Sequence, residues 1–151
     1  MSIDWLGVRY PSWDDLVSMA EDLAIPVVED IAPRPVFVGA DNGGPLILIP
    51  QGLSPLHRMW ALAHELGHAV RHSGPLPLAR GKQEAQANHW AACALIPESR
   101  VHLHQNASLD TFIGALSAHY EEIPYQDCAL RKLAARVAKY RLQALEKSLR
   151  G

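Results

Sequence analysis

The sequence predicts an α+β fold in which a small antiparallel three-stranded sheet packs on a mostly helical domain. Three short runs rich in β-branched and aliphatic residues lie between residues 27 and 49, which is the composition of strands. From residue 54 onward, apolar residues recur every three or four positions, as they do in amphipathic helices. A chain of 151 residues is long enough to bury one core, so we expect a single domain.

The first predicted element is a helix over about residues 12–24. Ser12 suits the N-cap, and Asp15 holds the capping-box position three residues later. The helical spacing of apolar residues ends at Pro26, because a residue before proline is disfavoured in helical conformation.

Three strands are predicted after this helix, at residues 27–28, 36–38 and 46–49. Asp41-Asn42-Gly43-Gly44 lies between the last two and has turn chemistry, because these residue types tolerate positive φ. We therefore expect a hairpin tip at residues 41–44.

The remaining chain is predicted to be helical. The central helix begins at Ser54-Pro55, which supplies a capping serine and an N1 proline, and Ser73-Gly74-Pro75 ends it. Three further helices are expected, over about residues 82–95, 109–120 and 126–149. The domain then has three parts: residues 1–53 (helix and sheet), 54–97 (two helices) and 98–151 (C-terminal helices with a helix-turn-helix-like pattern).

Composition excludes several classes of protein. The net charge is −2, so no overall charge drives binding to nucleic acid or membrane. Seven of the 14 basic residues lie in residues 131–151, which we interpret as a solvated helix face, with a basic docking surface as the alternative. The N-terminus lacks a signal-peptide pattern, and no apolar run is long enough to span a membrane. A cytoplasmic protein is the default expectation.

The central helix carries the strongest chemical signal, His64-Glu65-Leu66-Gly67-His68. Histidines four residues apart project from one face of a helix, which suits two ligands of one tetrahedral Zn²⁺. Glu65 can accept a proton from a water whose pKa the metal lowers. A shuffled chain of this composition would contain H-E-x-x-H only about 0.02 times. Gly67 disfavours a helix, so we expect another element to approach closely there.

A catalytic zinc usually takes a third protein ligand and leaves one position open. Glu84 lies sixteen residues after His68, at the start of the next predicted helix. It could face the histidine pair, and Asn88, one turn later, could hydrogen-bond a ligand's second ring nitrogen. Alternatively, Glu84 is a solvated acid that the helix dipole favours. The nearby His72 also follows His68 by four residues, but we expect the chain to lead away from the metal there.

Taken together, these two segments resemble the ImmA/IrrE family of metallopeptidases. The family shows H-E-L-G-H followed by E-x-x-A-N-x-F-A and an L-L-M-P-like ending. Here Trp90 replaces the usual phenylalanine, and Ala94-Leu95-Ile96-Pro97 replaces the usual ending. The resemblance is specific over residues 45–97 and looser to residue 133.

The resemblance implies a gluzincin-like zinc endopeptidase with His64, His68 and Glu84 as metal ligands and Glu65 as general base. It also implies a helix-turn-helix transcriptional repressor of a prophage, mobile element or stress regulon as the substrate. Zn²⁺ suits these ligands, although Mn²⁺ or another divalent ion fits too. Tyr120 and His119 are the candidates for a second oxyanion donor.

Two other functions compete with the peptidase. One is a non-catalytic partner-binding module in which zinc is a structural staple. The other is a DNA-binding regulator that uses residues 109–149, for which we expect salt-dependent binding.

Overall fold

The computed structural model describes residues 4–31, 35–38, 45–71, 80–97, 119 and 128–150. This part of the chain has the predicted α+β class. Its helices are α1 (Trp13–Asp22), α2 (Pro55–Arg71), α3 (Arg80–Leu95) and α4 (Cys128–Arg150). Its strands are β1 (Val27–Asp30), β2 (Val36–Val38) and β3 (Leu46–Pro50). The predicted hairpin tip at 41–44 and the predicted helix at 109–120 lie outside the described residues, apart from His119.

Helix α1 begins with the predicted capping box. The Asp15 amide donates to Ser12 Oγ (3.1 Å), and the Ser12 amide donates to Asp15 Oδ2 (2.8 Å). Arg9 donates to the same carboxylate (2.7 Å). These hydrogen bonds, that from Arg9 foremost, favour the ionised form and lower the pKa of Asp15 to about 2. The aspartate therefore completes the capping box at the position where glutamate or glutamine is usual.

The sheet is mixed, so the prediction of a wholly antiparallel sheet was wrong. Its strand order is β1-β3-β2. Strands β2 and β3 pair antiparallel with Phe37 opposite Ile47, whereas β1 pairs parallel to β3 with Val27 opposite Ile47. The β3 strand takes the central position, and its residues are more buried than those of β1, which is mostly exposed. Apolar runs locate strands but do not specify which strands become neighbours.

Helix α2 is the centre of the core. Ser54 caps it, accepting a hydrogen bond at Oγ from the His57 amide (3.4 Å). Arg58, in its first turn, ties three elements together. Its guanidinium carbon lies 3.6 Å from the ring centroid of Trp13 in α1, and it forms an ion pair with Glu29 in β1. The rest of α2 is largely buried against the sheet and the other helices, through Leu56, Leu62 and Leu66 among others.

Helix α4 closes the other side of the core. Its buried face includes Leu133, Val137 and Ala138. Arg141 is also buried, and its Nε donates to the carbonyl oxygen of Ile96 (2.8 Å), directly after the end of α3. Arg141 thus anchors α4 to the end of α3. None of the helices in the described part of the chain is long and apolar enough to cross a membrane.

Candidate metal centre

Three of the predicted site residues converge between α2 and α3. His64 Nε2 lies 3.0 Å from Glu84 Oε2, and His68 Nε2 lies 3.1 Å from Glu84 Oε1. The two Nε2 atoms are 3.1 Å apart. The His64 and His68 rings meet edge to face, with centroids 4.8 Å apart. Two histidines on one face of α2 and one carboxylate in the N-terminal part of α3 therefore direct their donor atoms toward a common point.

This donor set fits a divalent metal ion. A tetrahedral ion with bonds of about 2.0–2.1 Å separates its ligand atoms by about 3.3 Å. The observed separations of 3.0 to 3.1 Å are close to that value. Two neutral imidazole nitrogens and a carboxylate oxygen all present lone pairs, which repel one another unless a cation or a proton lies between them. Two imidazoles and one carboxylate also match the softness of Zn²⁺.

The three donor residues differ in their exposure. The His64 and His68 side chains are 16% and 15% exposed, whereas the Glu84 side chain is 48% exposed. Solvent therefore reaches the centre from the side of Glu84. Glu65, between the histidines in sequence, is buried at 7% exposure and contributes no atom to the three-donor cluster. Its role as general base stays a prediction.

Gly67 sets the distance between the two helices. A Cβ atom at this position would lie 2.9 Å from the carbonyl oxygen and 3.0 Å from the Cα of Ala87. The close approach expected from the sequence is confirmed, and α3 is the element that makes it. Ala87 lies one turn after Glu84, so this contact sets the reach of Glu84 toward His64 and His68.

His64 also lies in a row of aromatic rings. Trp60, one turn earlier on α2, has its ring centroid 6.0 Å from that of His64. Tyr140 of α4 stacks on Trp60 with centroids 5.8 Å apart and planes 3° apart. Neither Trp60 nor Tyr140 was predicted from the sequence as a neighbour of the site. The spacing of Trp60 from His64 could have pointed to the first, but nothing local points to Tyr140.

The sequence predicted that Asn88 could hydrogen-bond the second ring nitrogen of a histidine ligand, and this bond is not found at His64. The Nδ1 atom of His64 is buried and has no hydrogen-bond partner within the described part of the chain. Asn88 is half-buried on α3, but it does not fill that position, so its supporting role stays a prediction.

The structure does not bring His119 to the cluster. Its ring stacks on Tyr10, with centroids 4.0 Å apart. It also lines a cavity of about 360 Å³ together with Pro55 and other residues of α1 and α2. Pro55 precedes His64 by nine residues, or about two and a half helical turns, so this cavity faces the opposite side of α2 from the histidines. The other oxyanion candidate, Tyr120, and the competing His72 lie outside the described residues.

Cys93 on α3 is not part of the cluster. Burial raises the pKa of its thiol above the usual value, and the positive charge of Arg141 offsets this only in part. A thiol in this state is a poor nucleophile and a poor ligand. These surroundings agree with a packing role for Cys93.

Comparison with known proteins identifies the family. The model of the Peptidase_M78 family, described as the IrrE N-terminal-like domain, matches residues 20–128. No curated protein and no solved structure gives a significant match. Because the matched region spans well over half of the chain, the chain belongs to this family, as the sequence resemblance indicated. Membership indicates a metallopeptidase type of function, and the family is typically metal-dependent.

Proposed function

We propose that this member of the Peptidase_M78 family is a zinc-dependent, gluzincin-like endopeptidase. One observation carries the proposal: within the described residues, His64, His68 and Glu84 form a three-donor cluster with an exposed side. Structural zinc sites are usually closed by four protein ligands, whereas catalytic sites keep a position for water or substrate. The cluster has the character of the catalytic class.

In this proposal, His64, His68 and Glu84 hold the ion. When bound, Zn²⁺ lowers the pKa of water and polarises a carbonyl oxygen. Glu65 is the general base: it accepts a proton from the attacking water and passes it to the leaving amine. Its place in the H-E-x-x-H motif, directly after His64, supports this role. Mn²⁺ or another divalent ion is the alternative cofactor.

The proposed substrate is a helix-turn-helix transcriptional repressor, and the proposed compartment is the cytoplasm. Support for the substrate comes from the family resemblance alone. The oxyanion that forms on the substrate carbonyl needs a second donor. Of the two candidates named above, Tyr120 keeps its candidacy, while the placement of His119 gives that residue no support.

The test is cleavage of a defined repressor, such as one encoded beside this chain, by protein whose bound metal has been measured. Wild type should bind one zinc ion and cut the repressor. Glu65→Gln keeps the size of the side chain and removes the base, so it should bind zinc equally and lose at least 100-fold in rate. Replacement of the exposed His57 on the same helix provides a matched control, with unchanged metal binding and cleavage.

Each alternative function has a different outcome in this experiment. A zinc staple predicts that Glu65→Gln retains full biological activity while His68→Ala loses it. A repressor left intact by zinc-loaded wild type would refute the proposed substrate. The DNA-binding alternative has some support from the exposed Lys132, Arg136 and Lys139 on α4. It predicts salt-dependent DNA binding whose salt slope flattens when the basic side chains of Arg131, Lys132 and Arg136 are removed.

A further inference from the structure

The ring of His64 lacks the usual means of orientation for a metal-binding histidine. Such histidines almost always donate the second ring N–H to a carboxylate, a carbonyl or water. Here Nδ1 of His64 is buried and has no such partner among the residues that the structure describes. Within the described part of the chain, packing and not a hydrogen bond at Nδ1 therefore sets the plane of this ring.

The packing around His64 comes from two rings on its own helix. His68 meets it edge to face, with planes 83° apart, and Trp60 lies at a tilt of 41°. His68 is itself a proposed metal ligand, so its ring belongs to the site and is not an independent support for His64. Trp60 is buried at 7% exposure and contributes no donor atom, so it is the fixed neighbour against which the His64 ring rests.

Trp60 in turn is held by α4. The near-parallel stack of Tyr140 on Trp60 has the geometry that aromatic pairs prefer. The next residue, Arg141, donates to the Ile96 carbonyl at the end of the helix that carries Glu84. Consecutive residues of α4 thus contact α2 and the end of α3. Tyr140 and Arg141 also lie beyond residues 20–128, the part of the chain that the family model matches.

We propose that Tyr140 is a positioning residue of the metal centre: it fixes the plane of Trp60, and Trp60 fixes the ring of His64. The support for one zinc ligand therefore comes from the C-terminal helix by ring packing and not from a hydrogen bond at Nδ1. This inference rests on the metal site proposed above.

The test compares three substitutions of Tyr140 in the full chain. Tyr140→Phe keeps the flat ring and should bind zinc within about twofold of wild type. Tyr140→Leu keeps a large apolar side chain but loses the flat ring, and should weaken zinc binding about tenfold, the lower end for loss of an outer support. Tyr140→Ala should weaken it at least as much. Zinc affinity is measured by competition with a chelator, and the absorbance of bound Co²⁺ reports ligand geometry.

Val137→Ala is the matched control for stability. Val137 is fully buried on the same helix one turn earlier, so its truncation loosens the core while every ring of the stack is retained. It should lower the unfolding midpoint and leave zinc affinity and the Co²⁺ spectrum unchanged. Equal zinc affinity of Tyr140→Leu and wild type would overturn the proposal, as would an equal loss in Tyr140→Phe. Wild type that binds no zinc would overturn the metal site as well.

Discussion

Gly67→Ala tests whether the contact between α2 and α3 sets the geometry of the metal centre. The added Cβ would lie 2.9 Å from the carbonyl oxygen of Ala87, about 0.5 Å short of ordinary contact at 3.4 Å. Both nearest atoms belong to the backbone, so no side chain can rotate away. Helix α3 must retreat by a few tenths of an ångström, and Glu84, one turn earlier, retreats with it.

The effect on stability should be small. Overpacking costs about 1–3 kcal/mol, while alanine in place of glycine within a helix gains about 1 kcal/mol. The free energy of unfolding of the metal-free protein should therefore fall by about 0–2 kcal/mol. The effect on metal binding should be larger, because metal–ligand distances hold within about 0.2 Å. A shift of Glu84 beyond that range should weaken zinc binding by about tenfold or more.

The assay is urea unfolding of metal-free protein together with chelator competition for zinc. Gly81→Ala makes the same change on α3 at a position where an added Cβ meets nothing within 4 Å. This control should gain up to about 1 kcal/mol in stability and bind zinc normally. Wild-type zinc affinity in folded Gly67→Ala would refute the reasoning that this contact positions Glu84.

Two further predictions concern Glu84 and the α1 cap. Glu84→Ala should weaken zinc binding by more than the roughly 10–100-fold that loss of an outer support costs. Lys82→Ala and His72→Ala should retain wild-type zinc affinity in the chelator competition. Wild-type affinity in Glu84→Ala would show that Glu84 is not a ligand. Asp15→Asn should cost about 1 kcal/mol at pH 7. Arg9 holds the pKa of Asp15 at about 2, below the unfolded value of about 3.9. The difference in unfolding free energy between wild type and Asp15→Asn is therefore complete above about pH 4 and shrinks toward pH 2. A pH-independent difference would contradict this.

The sequence predicted those features that depend on local chemistry. The Ser12 capping box, the start of α2 and the close approach at Gly67 each follow from a residue's own conformational or hydrogen-bonding needs. The residues alone left Glu84 open between a metal ligand and a solvated acid, and the family resemblance favoured the position beside the histidines that the structure shows.

Features that depend on distant parts of the chain were not predictable in this way. The strand order β1-β3-β2 depends on how the strands bury their surfaces in the assembled sheet. The periodicity of apolar residues along a single strand carries no information about that order. The stack of Tyr140 on Trp60 joins residues 80 positions apart. Tyr140 has no local pattern that distinguishes it from an ordinary core residue.

The central position of β3 has a consequence for the order of events during synthesis. Within the described sheet, β1 has β3 as its strand partner, and β3 ends at Pro50. While a ribosome makes the chain from its N-terminus, β1 therefore leaves the exit tunnel before β3 does. The acidic Glu29 and Asp30 oppose aggregation of the unpaired strand in this interval, since charges on an unpaired edge disfavour pairing with other chains. Because α2 begins at Pro55, directly after β3, the sheet can close only when the start of α2 is also about to emerge.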